Sequence, residues 1–212
     1  MFPTDTWYCA ARSTEISTAP FERIICNEPI VFFRTVTSGD AVALENRCPH
    51  RQAPLSMGKV VGDNIMCIYH GWHMDRNGRC SYVPHQDAPS RNARVKSYPI
   101  EEQAGFVWIW MGDAAKSDPS LIPDMPWLVA DDRSAVLSRF HVKAGYQLMA
   151  DNLLDVSHSD FLHAASFGSQ AGNKGETDEV RQNMETWSDA DSVYSVRSLH
   201  NVMLSPMAAA WG

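Results

Sequence analysis

The sequence predicts an α+β chain. A small all-β domain spans residues 1–112, a linker spans 113–126, and 127–212 is the incomplete start of a domain that sets a helix against antiparallel strands. Three observations predict this. Before residue 112 the apolar residues fall in short runs separated by Gly, Asn and Asp. Between 113 and 126 stand Pro119, Pro123 and Pro126 among charged and small residues. Beyond them, Tyr146 to about Phe167 contains no Pro or Gly and spaces Met149, Leu153, Leu154, Phe161 and Leu162 as an apolar stripe.

Each element follows from local chemistry. Ile30-Val31-Phe32-Phe33-Arg34 is a strand after Pro29, and Ala41-Val42-Ala43-Leu44 a second, set off by Ser38-Gly39-Asp40. Val60-Val61 and the run Ile65–Tyr69 flank Gly62-Asp63-Asn64, a hairpin signal, and Asn77-Gly78 marks a second tight turn. Phe106–Met111 is aromatic and β-branched and stops at Gly112. Residues 168–183, rich in Gly, Asn and Glu, are expected to be a loop, and Val193–Leu199 alternates as a strand with one solvated face. No strand partner is evident for this last run.

Composition narrows the function classes. The chain has 212 residues, 44% hydrophobic and 20% charged, within the range of an ordinary globular protein. Its 18 Lys and Arg against 25 Asp and Glu give a net charge of −7, which argues against a nucleic-acid partner. No apolar run approaches the roughly 20 residues that span a bilayer, and Met1-Phe2-Pro3-Thr4-Asp5 lacks a secretory pattern. The expectation is a soluble, cytoplasmic protein without a membrane partner. The five cysteines are an odd, sparse set, so they are expected to be reduced thiols or metal ligands.

Two of those cysteines carry the first constellation. Cys48-Pro49-His50-Arg51 and Cys67-Ile68-Tyr69-His70-Gly71-Trp72 form the pattern C-x-H-x16-C-x2-H, each pair on a loop just after an expected strand. Three readings compete. Buried thiols and packed histidines do not account for two matched Cys/His pairs. Structural zinc commonly draws its two Cys from one element and its two His from another, whereas here each loop supplies one of each. In a Rieske [2Fe–2S] cluster two cysteines hold one iron and two histidines the other, so loops offering one of each suit it. Neutral imidazoles in place of thiolates raise the potential of such a cluster. Gly71 allows close backbone approach, and Tyr69 and Trp72 either shield the site or pack in the core. Cys9, Cys26, Cys80, His73 and His85 lack matched spacing.

The second constellation is Asp155-x2-His158-x4-His163 within Asp151–His163. Asp155 and His158 share a helix face. His158 and His163 lie about 140° apart on a regular helix and reach one metal only if the helix bends or ends between them. Ser157-His158-Ser159-Asp160 is a weak stretch where that can happen. The two histidines on their own suit either an interface or a metal. Beside a one-electron cluster, two His and a carboxylate suggest a non-haem iron that receives its electrons.

Taken together, these motifs resemble the oxygenase α subunit of Rieske non-haem iron oxygenases, in the aromatic-ring O-demethylase branch that includes vanillate and dicamba demethylases. The resemblance rests on Phe2-Pro3, Trp7-Tyr8-Cys9-Ala10, Cys48-Pro49-His50-Arg51 with Ala53-Pro54-Leu55-Ser56, Tyr69-His70-Gly71-Trp72, Trp108-Ile109-Trp110 with Gly112-Asp113, and Asp151-Asn152-Leu153-Leu154-Asp155. It implies a Rieske domain followed by the start of a catalytic domain. It implies that Cys48, His50, Cys67 and His70 hold the [2Fe–2S] cluster and that His158 and His163 bind a mononuclear Fe(II). Asp155 would bridge to a Rieske histidine of a neighbouring subunit in a homotrimer, with the Asn152 amide near the iron. The implied partners are a flavin and iron–sulfur reductase fed by NAD(P)H, dioxygen and a small aromatic substrate. The implied reaction is O-demethylation of a methoxybenzoate-like compound.

The third iron ligand in that family is an Asp further downstream. Glu176, Asp178, Glu179, Glu185, Asp189 and Asp191 do not occupy its context, so the chain is expected to be a truncated, inactive portion of a longer enzyme. Arg197 and His200 are either surface groups or anchors for a substrate carboxylate. The rival from another class is a Rieske ferredoxin-like electron carrier, which leaves Asp155, His158 and His163 unexplained.

Overall fold

In the computed structural model the described residues are 2–132, 134–136, 138–163, 166, 181–190 and 192–200. They divide into two compact units, Met1–Leu137 and Ser138–Gly212.

The first unit is built on strand β3 (Glu28–Arg34), which pairs antiparallel with β2 (Phe21–Ile25) on one side and β4 (Ala41–Glu45) on the other. The run Ile30-Val31-Phe32-Phe33 is fully buried. Successive side chains of a strand point to opposite faces, so β3 serves two apolar layers. Ile30 and Phe32 pack with Ala43, Tyr98, Val107, Ile109 and Met111. Val31 and Phe33 pack with Val42, Leu44, Leu55, Ile65, Met74 and the two cysteines Cys48 and Cys67.

Two further sheets cover these layers. Strands β1 (Thr6–Arg12), β10 (Phe106–Met111) and β9 (Ile100–Gln103) lie in the order β1-β10-β9, with a bulge between Cys9 and Ala11. Strands β5 (Lys59–Val61), β6 (Asn64–Met66), β7 (His73–Met74) and β8 (Cys80–Tyr82) form a meander. The Gly62-Asp63 connection is a two-residue hairpin with Gly62 at φ +61. The expected run through Tyr69 stops at Met66, so Cys67 begins a loop. Strands β1, β2, β7, β8 and β9 have no counterpart in the apolar runs of the sequence. Arg34 joins the sheets by donating to both oxygens of Glu102, at 2.8 and 3.0 Å, and to the carbonyls of Ser13 and Gly39.

After β10, Asp113 and Asp118 cap two short 3-10 turns by accepting from the amides of Ala115 and Ser120. Ile122 is buried with Trp7 and Trp110, whose indole N–H groups donate to the Asp118 and Asp113 carbonyls.

In the second unit the helix expected from Tyr146 to about Phe167 is broken. Helix α1 (Tyr146–Leu154) ends at Asp155, a 3-10 turn covers Val156–His158, and α2 (Ser159–Leu162) ends at His163. Phe167 lies outside the described residues. Strand β12 (Val193–His200) contains the expected strand and pairs antiparallel with β11 (Arg181–Ser188), which supplies the partner that the sequence left unseen. Residues 181–183, expected to be loop, are strand; 168–180 lie outside the described residues. Among the described residues no helix is long and apolar enough to cross a membrane.

The turn at Gly78 yields a test of the first unit. Gly78 has φ +75, and a Cβ there would sit 2.3 Å from the Val95 carbonyl oxygen, whereas Gly62, at φ +61, faces open space. Gly78→Ala is expected to destabilise by on the order of 3 kcal/mol and Gly62→Ala by about 1 kcal/mol. Thermal unfolding of the two variants checks this. Equal losses would mean that the Val95 backbone gives way.

Candidate metal centres

The four residues of the first constellation sit on two loops with the same backbone frame. In the first, the Cys48 amide donates to the Ala53 carbonyl (2.8 Å) and the Gln52 amide to the Cys48 carbonyl (2.9 Å). In the second, the Cys67 amide donates to the Trp72 carbonyl (2.8 Å) and the Gly71 amide to the Cys67 carbonyl (3.0 Å). In both, the residue four past the cysteine takes a left-handed conformation, Gln52 at φ +60 and Gly71 at φ +68. Gly71 answers a positive φ, and a Cβ there would also meet the Pro84 ring at 3.2 Å. Buried Asn46 closes the base of the first loop: its Oδ1 accepts from the Ser56 amide and its Nδ2 donates to Ser56 Oγ. Asn46 lies outside the sequence motif; its signal is an amide side chain placed directly after a strand and two residues before Cys48.

Within this frame, sulfurs and imidazoles segregate. Cys48 and Cys67 are both buried, in the same apolar layer. His50 and His70 are exposed, and their ring centroids lie 4.5 Å apart. Burial pushes the Cys48 thiol up, the backbone amides of His50 and Arg51 pull it down by donating to the sulfur, and Cys67 beside it pushes it up again. Desolvation holds the His50 imidazole below its ordinary value, and His70 and Arg51 add to this, which favours the neutral form that binds metal. Trp72 stacks on His50 at 4.7 Å and 1°, and Tyr69 lies over His70 at 3.9 Å. Tyr69 thus covers an imidazole, and Trp72 both covers one and packs against the second apolar layer. Cys9 is exposed, Cys26 and Cys80 are half-buried, and His73 packs on Tyr82.

This donor arrangement discriminates between the metal readings. A single tetrahedral zinc needs four donors around one point. Among the described residues no three His, Cys, Asp or Glu side chains converge in that way. The thiols meet as one pair and the imidazoles as another, as a cluster with one iron on two sulfurs and a second on two nitrogens requires. Backbone amides that pull a buried thiol's pKa down suit a thiolate ligand, and hydrogen bonds to the sulfurs are one determinant of cluster potential.

The second constellation divides differently. His158 and His163 come together with ring centroids 5.4 Å apart, because α2 ends at Leu162 and His163 occupies its C-cap. His158 Nδ1 lies 2.7 Å from the Asp155 carbonyl oxygen. Donation there leaves Nε2 as the metal-binding nitrogen. The Asp155 carboxylate accepts from the Ser157 amide at 2.9 Å, capping the 3-10 turn, and does not join the histidines. Hydrogen bonds from Ser157 hold it below the usual carboxylate range, with His158 and Arg197 adding to the effect. Asn152 is exposed on α1. Glu185 accepts from Asn183, and Asp189 caps the β11–β12 connection. His200 is exposed at the end of β12. Glu176, Asp178, Glu179 and Asp191 lie outside the described residues.

The chain matches two known domain families. Residues 6–99 match the family model of the Rieske [2Fe-2S] domain, and residues 142–212 match that of the vanillate O-demethylase oxygenase C-terminal domain. The vanillate O-demethylase oxygenase subunit of a Pseudomonas species is 38% identical over 206 residues, covering 97% of this chain and 56% of that protein. The iron-sulfur subunit of the toluene-4-sulfonate monooxygenase system of Comamonas testosteroni is 40% identical over 172 residues, covering 81% of this chain and 49% of that protein. The crystal structure of dicamba monooxygenase bound to dicamba superposes with a TM-score of 0.88 at 31% identity, covering 99% of this chain and 61% of that one. The chain therefore spans about half to three-fifths of the length of these relatives.

The paired donors predict two irons and two acid-labile sulfides on Cys48, Cys67, His50 and His70. His50→Cys replaces a neutral ligand by an anionic one, and is expected to change the EPR g-values and lower the potential by on the order of 100 mV or more. Stoichiometric zinc without inorganic sulfide would contradict the cluster.

Proposed function

Because the chain belongs to the Rieske-type oxygenases that join a Rieske [2Fe-2S] domain to a vanillate O-demethylase oxygenase C-terminal domain, we propose that it forms part of a terminal oxygenase. The proposed reaction removes the methyl group of an aromatic methoxy compound of the methoxybenzoate class. Overall, the methyl ether, dioxygen, two electrons and two protons give a phenol, formaldehyde and water. NAD(P)H supplies the electrons through a separate flavin and iron–sulfur reductase.

The observation that carries this reading is the presence of two distinct donor sets in one chain. An electron carrier needs only the paired Cys/His loops, and has no use for a broken helix that brings His158 and His163 within 5.4 Å. In this reading Cys48 and Cys67 hold one cluster iron, His50 and His70 the other, and His158 and His163 a mononuclear iron. Bound there, the cluster supplies electrons one at a time and the ferrous iron supplies dioxygen activation.

The chain's own groups do the rest. The carbonyl of Asp155 fixes the tautomer of His158 by accepting from Nδ1. The ring of Trp72 limits the rotation of His50, and that of Tyr69 limits His70. Asp155, kept anionic at its exposed position, can accept a hydrogen bond from a cluster histidine of a neighbouring subunit in a homotrimer. Asn152, about one helical turn before Asp155 on α1, is proposed to place its amide near the iron. The third iron ligand is proposed to be a carboxylate, which with two histidines completes the donor set common to non-haem iron oxygenases.

The test is formaldehyde release from methoxybenzoates by the full-length oxygenase with its reductase and NADH. His158→Ala is expected to lower turnover by roughly 100-fold or more while leaving the visible spectrum of the cluster intact. Undiminished formaldehyde release from this variant would overturn the assignment of the mononuclear site.

A further inference from the structure

His158 and His163 meet because the helix that carries them is broken, and three interactions hold the break. Two are local: the Asp155 carboxylate takes the Ser157 amide, and the Asp155 carbonyl faces His158 Nδ1. The third comes from β12. Arg197 Nη1 donates to the Val156 carbonyl oxygen at 3.3 Å and to Ser159 Oγ at 3.2 Å, across 41 and 38 residues of sequence.

The two acceptors lie on either side of His158. Val156 opens the 3-10 turn, and its carbonyl also accepts the Ser159 amide that leads into α2. Ser159 is the first residue of α2. At this step the chain changes from about 3.0 to about 3.6 residues per turn. The step sets the direction in which the His158 ring leaves the backbone, and one guanidinium nitrogen grips both of its ends. On β12, Arg197, Ser198 and Leu199 are half-buried while residues 193–196 and 200 are exposed, so the strand meets the rest of its unit through the stretch that carries Arg197.

We propose that Arg197 is a positioning residue for the mononuclear iron. By holding Val156 and Ser159 it fixes the turn that carries His158, and with it the separation of the two imidazoles. This rests on the reading of His158 and His163 as iron ligands. Arginine suits the task because its planar fork presents N–H groups in fixed directions to two acceptors, whereas lysine offers a single point charge. The assignment also gives Arg197 a use within its own chain in place of the substrate-anchoring alternative.

The experiment uses the full-length oxygenase, stripped of mononuclear iron with its cluster retained, and titrates it with cobalt(II) while following the d–d absorption. Arg197→Met is expected to weaken cobalt binding about tenfold and to alter the d–d bands, with the cluster spectrum unchanged. Arg197→Lys recovers part of the loss. Ser159→Ala removes one acceptor and is expected to cost about threefold, and the double variant Arg197→Met/Ser159→Ala to bind no more weakly than Arg197→Met alone. Unchanged affinity and bands in these variants, or losses that simply add, would overturn the proposal. If Arg197→Met does not fold, Arg197→Lys and Ser159→Ala decide: wild-type cobalt binding in both overturns it. His158→Ala separates the two layers of the argument. Full cobalt binding in that variant refutes the ligand reading itself, whereas its loss there, with wild-type binding in the Arg197 variants, refutes only the role of Arg197.

Discussion

The burial of β3 on both faces is the constraint on which the first unit depends. Ile30 and Phe32 belong to one apolar layer and Val31 and Phe33 to the other. A slip of one residue in register would exchange the two sets and mismatch both layers. Cys48 and Cys67 are members of the second layer, so the scaffold that orders the strands also places the sulfurs. The consequence is chemical as well as geometric. Burial raises the cost of a bare thiolate, and two sulfurs side by side raise it further. A metal that takes both sulfurs as thiolates removes that cost, which ties metal loading to the stability of the fold.

The paired Cys/His loops were legible in the sequence because each is closed locally. Backbone hydrogen bonds spanning four or five residues set each frame, and the cysteine and histidine proposed as ligands fall inside it, so spacing alone carries most of the information. What stayed hidden is that the loops are duplicates. The left-handed position is filled by Gly71 in one and by Gln52 in the other, so a search for turn glycines finds only half of the pattern. Asn46, which ties the base of the first loop to Ser56, is hidden for a different reason: its role depends on a partner ten residues away.

Strands followed the same rule. The runs at Ile30–Phe33, Ala41–Leu44 and Phe106–Met111 declare themselves because their residues are continuously apolar and mostly buried. Strand β1 does not, because Cys9 and Ala11 flank a bulge that interrupts its alternation. Strand β11, Arg-Gln-Asn-Met-Glu-Thr-Trp-Ser, is mostly polar, and it is held by its pairing with β12 and by the stack of Trp187 on Tyr194. The proline chemistry of 113–126 shows no hint of Ile122 buried with Trp7 and Trp110, since Trp7 lies at the other end of the unit's sequence.

The histidine pair marks the limit of local reading. Its spacing was visible, and so was the requirement that the helix bend or end, because a regular helix would turn the two rings about 140° apart. The weak stretch around Ser157 is where the chain enters its 3-10 turn, but the break begins one step earlier, where Asp155 leaves helical geometry at φ −101 and ψ 93 and caps the turn with its own carboxylate. That cap makes the turn possible without fixing how it meets α2. The junction is gripped from β12, by a residue that sequence pattern offers equally as a surface group. The cluster loops therefore carry most of their geometry in their own backbone, whereas the imidazole pair borrows part of its geometry from a strand, and a change in β12 can reach His158 without touching a ligand.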